Sequence, residues 1–351
     1  MNIMSKTEEK KEKKSKRISI ITSVSENHNE TGFGSVETCE VLFQAISEVY
    51  QNVSFHNVTN IESLHKVAQE APDLVVLCSK YIIVEGTDER IWLSDFFSSK
   101  TISFTGSTRS ALELDSNKSK AKTLLQNFNI ATASFFVARP DQYKKEVDLP
   151  LGFPLFIKPI SAANGNGVDE FSIVRDLEGY QSKVGSIFAS FGTAALVEKE
   201  LSGKEYTIAI LDDPKSNARY VMPLEITTPK NCNGDRLLGY QAKQDNEELL
   251  RRVPEPLHSE LCLTASKIFD LLNARDFGRI DIKLDEYGTP HFLEANLVPG
   301  MTPGSSYFPR ALSYLNSSGD ALKAPIGLTY SEVALKIVEI GLKRASATVV
   351  Q

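Results

Sequence analysis

The sequence predicts an α/β protein, and three observations predict it. Short apolar runs that read as strands alternate with stretches whose apolar residues recur at helical spacing. A glycine-containing loop joins the first such strand to the first such helix, and a hairpin near residue 280 sorts its charged and apolar residues onto opposite faces. At 351 residues the chain is long enough for two or three compact units rather than one.

Composition narrows the function classes. With 41% hydrophobic and 24% charged residues the chain is of ordinary globular type, and its net charge of -6 supplies no global basic field for nucleic acid. Cys39, Cys78, Cys232 and Cys262 are widely separated, form neither a CxxC zinc pattern nor a small disulfide framework, and fit a reducing cytosol. No apolar run approaches the roughly 18 residues that span a bilayer, and the N-terminus is polar where a secretory signal would be apolar. The expectation is a cytoplasmic protein whose partners are small molecules, with no nucleic acid and no membrane; a homodimer is compatible with it.

Residues 1–16 mix Lys and Glu without periodicity and read as a disordered leader. Arg17–Val24 is a strand; Ser35, after Gly32-Phe33-Gly34, caps a helix over Val36–Tyr50, which begins an open α/β domain. Asp73–Cys78 and Thr101–Phe104 continue as short strands, and the domain ends near Ser110. Asp115–Phe128 reads as a helix with Lys118 near its start, and the plain reading of Lys118 is a solvated helix lysine among the solvated Lys120 and Lys122. Gly152–Pro159 is a strand that puts Lys158 at its end, before the loop Ile160–Val168 with its glycines and asparagines. Such a lysine can grip phosphates while the loop folds over them. The chain has no GxxxxGK[ST] that would propose a P-loop instead. Ala194–Leu201 and Tyr220–Thr227 are further strands, and His258–Leu272 is an amphipathic helix. Tyr330–Arg344 is another, expected to pack on the C-terminal domain.

The hairpin runs through GRIDIKLDEYGTPHFLEAN, with its turn at Asp285-Glu286-Tyr287-Gly288. Ile280, Ile282 and Leu284 alternate with Arg279, Asp281 and Lys283. In a regular register Phe292, Glu294 and Asn296 share one face and Leu293 and Ala295 the other, so Asp281, Glu294 and Asn296 converge. Two carboxylates and a carboxamide are hard oxygen donors of the kind that hold Mg²⁺ beside substrate phosphates. The following PGMTPGSS, residues 299–306, offers backbone N–H groups and hydroxyls to an anion such as a carboxylate.

GRIDIKLD, LEAN and PGMTPGSS together resemble the C-terminal signature of the D-alanine–D-alanine ligase branch of the ATP-grasp superfamily. The resemblance covers the chain from about Thr101 to about Leu342 and, more weakly, the N-terminal portion. It implies ATP-grasp α+β domains after the small open α/β domain: leader 1–16, substrate domain 17–110, central domain 111–201 and catalytic domain 202–346. It implies ATP and Mg²⁺, with Mn²⁺ as a substitute. Lys118, Lys158 and Lys243 would face the ATP phosphates; the chain around Glu198, Lys199 and Leu201 would read adenine; and Glu205 would accept the ribose hydroxyls. Arg279 would stabilise an oxyanion, with Lys243 balancing the moving charge, and Gly300, Ser305 and Ser306 would hold the second substrate's carboxylate. Glu37 stands roughly where the family holds the first substrate's ammonium, with Glu40 competing for the role.

The sequence departs from the family where the first substrate sits. Ser79-Lys80-Tyr81 replaces a His-Gly motif, Asn164 and Asn166 stand in the loop that usually carries serines and an acid, and Gln244 replaces a common tyrosine. The expectation is therefore an ADP-forming carboxylate–amine ligase of altered substrate specificity. Three other readings stay open: an authentic D-alanine–D-alanine ligase in peptidoglycan precursor synthesis, another ATP-grasp ligation, and a non-catalytic ATP-binding regulatory module.

Overall fold

The computed structural model describes residues 12–23, 32–87, 89–161, 165–216, 218–231, 234–237, 239, 248–314 and 327–348. Lys243, Gln244 and Asn164 lie outside the described residues. The elements form an α/β architecture, in agreement with the fold class expected from sequence.

β1 (Lys14–Thr22), α1 (Val36–Ser47), β2 (Tyr50–Asn57), α2 (Ile61–Gln69) and β3 (Leu74–Leu77) build a parallel sheet of order β2-β1-β3. Ile18, Ile20 and Leu74 to Leu77 are buried, as a parallel sheet covered by helices requires. Two expectations need correction here. Lys14 to Lys16, assigned to the leader, belong to β1, where Lys14 pairs with Glu339 at 3.0 Å and Lys16 with Asp73 at 3.2 Å. Thr101–Phe104 is not a strand: Thr101 has φ +59, and only Phe104 makes a parallel bridge, to Val75.

β4 (Tyr81–Ile83) and β5 (Arg90–Trp92) form a small hairpin, followed by α3 (Leu93–Ser99), α4 (Arg109–Asp115) and α5 (Lys118–Gln126). Next, β6 (Phe135–Ala138), β7 (Leu155–Pro159), β8 (Ile173–Val174), α6 (Leu177–Phe191) and β9 (Ala195–Lys199) give a sheet of order β6-β9-β7-β8 with α6 packed on it. The last sheet comprises β10 (Glu205–Asp212), β11 (Arg219–Thr227), β12 (Leu249–Arg252), β13 (Phe277–Leu284) and β14 (Pro290–Asn296), in the order β12-β11-β10-β13-β14. Its connections include α7 (Leu257–Leu271), which packs on β10, β11 and β13. α8 (Tyr307–Ser313) and α9 (Tyr330–Thr348) complete the described chain.

Two packing relations position the site. α4 and α5 lie against β14, with Ala111, Leu112, Ala121 and Leu125 sharing one core with Ile280, Ile282 and Phe292. α9 packs on α1 and β3 of the first sheet as well as on α8, so its apolar face chiefly closes the N-terminal sheet rather than the C-terminal one.

Candidate active site

β13 and β14 are antiparallel, and directly opposed residues share a face. Arg279 opposes Asn296 and Asp281 opposes Glu294, but the register then slips so that Ile282 opposes Phe292. The extra residue is Leu293, a β-bulge. Because side chains alternate, one inserted residue exchanges the faces beyond it. Phe292 therefore goes to the core beside Ile282, and Leu293 turns to the cleft. The regular register expected from sequence is corrected on this point, while Asp281, Glu294 and Asn296 do come together on the polar face.

Asp281 is the best-connected group there. Arg279 donates to it through Nε at 3.0 Å and Nη2 at 2.9 Å, Thr207 through its hydroxyl at 2.8 Å, and Asn296 through Nδ2 at 3.2 Å. Thr207 reaches it because β10 pairs with β13 so that Thr207 opposes Asp281. Arg279 also lies over the Tyr307 ring, 5.5 Å from its centroid. Burial works against the Arg279 cation, but Asp281 outweighs it and holds the group above its ordinary value. Glu294 faces Lys118 at 3.4 Å.

Lys158 sits in β7 and opposes Leu196 of β9, two residues from Glu198. Glu198, only 2% exposed, lies between two ammonium groups: Lys122 Nζ at 2.6 Å from Oε1 and Lys158 Nζ at 2.8 Å from Oε2. Burial raises the Glu198 carboxyl, and the two lysines outweigh it, holding the group below the usual carboxylate value. Burial likewise opposes the Lys158 ammonium, and Glu198, Glu294 and Glu205 outweigh it and raise the group.

Lys122 is the main surprise. Expected as a solvated surface lysine, it is fully buried, bonded to the Thr132 hydroxyl at 2.6 Å and the Phe292 carbonyl at 3.1 Å as well as paired with Glu198. The signal was present in the helix: buried Lys118, Ala121, Lys122 and Leu125 recur at i, i+3, i+4 and i+7, so both lysines ride the core-facing stripe. Thr207 was also missed; a lone threonine among the apolar and aromatic residues of Tyr206–Leu211 was its trace.

Several of these groups open on one cleft. From the four-stranded sheet and its loops come Phe156, Lys158, Gly165, Asn166, Glu198, Lys199 and Leu201; from the five-stranded sheet, Glu205, Asp281, Lys283, Leu293 and Glu294; from α5, Lys118. Lys199 turns its Nζ to the Gly152 and Phe153 carbonyls, at 3.1 and 2.9 Å, so its ammonium is engaged with backbone. Asp281 and Glu294, opposed and both lining the cleft, with Asn296 against Asp281, fit a hard cation such as Mg²⁺ that also takes phosphate and water oxygens. Among the described residues no group of three or more His, Cys, Asp or Glu side chains forms a metal cage by itself.

The 299–306 loop is locked to the N-terminal sheet. Met301 N donates to the Phe33 carbonyl at 2.6 Å, and the Thr302 and Thr38 hydroxyls meet at 3.1 Å. Ser306 Oγ accepts from Thr302 N at 2.9 Å, which engages that hydroxyl within the loop; a Cβ on Gly300 would lie 2.7 Å from the same oxygen. Ser305 is half-buried. Glu37 is exposed in the first turn of α1, its carboxyl held low by Ser35, and α1's cap Ser35 adjoins Gly34, whose missing Cβ would lie 3.1 Å from Thr302 Oγ1. Lys80, in place of the family's His-Gly, pairs with Asp115 at 3.1 Å, and Asp115 in turn accepts from Leu297 N at 2.9 Å.

Two sheets that bring lysines from one side and opposed carboxylates from the other onto one cleft have the arrangement of the ATP-grasp fold. Residues 124–318 match the family described as D-ala D-ala ligase C-terminus. The chain belongs to the D-alanine–D-alanine ligase family. It is 30% identical over 242 residues to the D-alanine–D-alanine ligase of Nitrosococcus oceani, covering 69% of each chain. It is 31% identical over 252 residues to that of Burkholderia thailandensis, covering 69% of this chain and 72% of the relative. The match to the Psychrobacter enzyme, 29% identical over 205 residues, spans 57% of this chain and 58% of that relative's length. The fold is similar to the crystal structure of the Bacillus anthracis D-alanine–D-alanine ligase complexed with ATP, with a TM-score of 0.71, 21% identity, and coverage of 95% of this chain and 100% of that one. No helix among the described residues is long and apolar enough to cross a membrane.

Proposed function

We propose that the chain is an ATP-dependent carboxylate–amine ligase that releases ADP and phosphate. The observation that carries this reading is the single cleft on which Lys158 and the opposed Asp281 and Glu294 open from two different sheets. A carboxylate is a poor acyl donor because its leaving group would be oxide. Attack of a carboxylate oxygen on the γ-phosphorus, with cleavage of the bond to ADP, makes an acyl phosphate with a competent leaving group. An amine then attacks the acyl carbon, phosphate leaves, and the amine's proton passes to solvent.

This chain's residues act by placing charge. Lys118 and Lys158 bind the phosphates; Lys243 is assigned the same task from sequence. The chain around Lys199 and Leu201 takes adenine, and Glu205 takes the ribose. Glu198, assigned to the nucleotide from sequence, works through its side chain by holding Lys158. Asp281, Glu294 and Asn296 would hold Mg²⁺, which when bound neutralises phosphate charge. Arg279 uses two N–H groups on Asp281 and has others for an oxyanion at the acyl carbon. Ser305, with Gly300 and Ser306 shaping its loop, takes the amine substrate's carboxylate, and Glu37 the first substrate's ammonium.

Substrate choice follows the departures. Lys80, which stands where the family carries His-Gly and is paired with Asp115, differs from that motif in size and hydrogen bonding, so we propose amino-acid-like substrates other than two D-alanines. The competing reading, D-alanine twice, is favoured by the names of the relatives. The same account puts the protein in the cytoplasm and leaves a homodimer to be read by light scattering. A phosphate-release screen over D- and L-amino acids, dipeptides and other carboxylates, with mass analysis of products, tests the reading. Amide product with equimolar phosphate supports it; preferred D-alanyl-D-alanine formation overturns the specificity claim, and no substrate-dependent ATP turnover overturns the ligase.

A further inference from the structure

The buried lysine of α5 has no task in the chemistry above, and its surroundings supply one. Lys122 touches three separate parts of the fold: the Glu198 carboxylate of β9 at 2.6 Å, the Thr132 hydroxyl at 2.6 Å, and the Phe292 carbonyl of β14 at 3.1 Å. Phe292 is the residue immediately before the bulge at Leu293, and Glu294 follows it. Its carbonyl accepts both Lys122 and the Thr132 hydroxyl, the latter at 3.2 Å. One ammonium thus joins the sheet that bears Lys158 to the strand that bears Glu294.

Charge balance gives the contact a consequence. With one carboxylate between two ammonium groups, the cluster keeps one net positive charge beside the cleft. Remove Lys122 and Glu198 is left one-to-one with Lys158, 2.8 Å away in a buried setting where a lone carboxylate is costly. Lys158 then serves as counter-ion to Glu198, and its charge is no longer free for a ligand.

We propose that Lys122 is a positioning residue of the nucleotide cleft: it neutralises Glu198 so that the charge of Lys158 stays available to phosphate, and it ties that pair to the bulge carrying Glu294. This rests on the reading of the cleft as a nucleotide site. Lys122 reaches no ligand itself, since it is fully buried and does not line the cleft.

The test is MgADP binding to the full chain by titration calorimetry, with thermal unfolding recorded for every variant. Lys122→Met should weaken MgADP binding tenfold or more. Adding Glu198→Gln to that variant removes the uncompensated carboxylate, leaves a Gln oxygen to accept from Lys158, and should restore binding to within threefold of the unmodified chain. A merely structural lysine would lower the unfolding temperature without moving the affinity of the folded protein, and the second substitution would not rescue binding. Unchanged affinity in folded Lys122→Met overturns the proposal, as does a double variant that binds as weakly as the single one. If Lys122→Met does not fold, the charge-balanced double variant decides alone: binding within threefold supports the proposal and a tenfold loss overturns it. Absence of MgADP binding by the unmodified chain overturns the nucleotide reading itself, and the proposal with it.

Discussion

Asp281→Asn and Glu294→Gln each remove one negative charge from the same proposed metal site, yet the structure predicts very different costs in stability. Asp281 is buried and receives four donors, two of them from one guanidinium. Asn at this position keeps one acceptor and turns a new N–H₂ toward groups that are themselves donors. Removing one partner of a buried pair costs about 3–5 kcal/mol, and the retained acceptor places this case near ~3 kcal/mol. Glu294 is 21% exposed at its side chain and pairs with Lys118 at 3.4 Å. A partly exposed pair of that length is worth about 1 kcal/mol, reduced by solvent screening. The difference of ~2 kcal/mol corresponds to roughly thirtyfold in the unfolding constant. Denaturant unfolding monitored by far-UV dichroism measures it, and phosphate release measures turnover, which both substitutions should lower by about a hundredfold or more. Equal destabilisation by the two would refute the assignment of Asp281 as the anchor of Arg279. Full Mg²⁺-dependent turnover in folded Glu294→Gln would refute the metal site.

Lys158→Ala should raise the ATP concentration needed for half-maximal turnover by about tenfold or more, equivalent to ~1.4 kcal/mol, whereas Lys120→Ala on the exposed face of α5 should change it less than about twofold. Deleting Leu293 removes the bulge, exchanges the faces of the strand on one side of it, and should abolish turnover while lowering the unfolding midpoint. Because the Glu198 carboxyl is held below its ordinary value of 4.5, its contribution to stability is complete above that pH and is lost as pH falls through the lower, folded-state value. Glu198→Gln should accordingly show a shallower loss of stability on the acid side than the unmodified chain when unfolding midpoints are compared from neutral pH downward. Gly32→Ala should destabilise the N-terminal sheet, since at φ +51 the added Cβ would lie 1.9 Å from the Cys78 carbonyl oxygen, a shift that soluble expression and thermal melting will register.

Much of this was legible in the sequence because the informative residues sit in regular elements. Period-2 alternation in Arg279–Leu284 put Asp281 on the polar face, and the Gly288 turn set the hairpin, as the Gly288 N donation to the Asp285 carbonyl at 3.2 Å bears out. The bulge was not legible: an inserted residue leaves no compositional mark when, as in Phe292-Leu293, both neighbours are apolar. Lys122 was misread because lysine is rarely buried: its place on the core-facing stripe of α5 was legible, but its partner Glu198, 76 positions away, was not. Lys14 to Lys16 were misread for the same reason: their partners Glu339 and Asp73 come from distant elements. Tertiary pairing of charges was the missing information in each case, whereas apolar periodicity carried the strands and helices.

The central claim, an acyl phosphate made from ATP, is tested most directly by oxygen transfer. A productive carboxylate substrate labelled with ¹⁸O in its carboxyl group is turned over with MgATP and the amine, and the released phosphate is analysed by mass spectrometry. The account predicts one ¹⁸O atom in each phosphate formed, one ADP per amide, and no AMP. Unlabelled phosphate alongside amide product, or release of AMP and pyrophosphate, would contradict it.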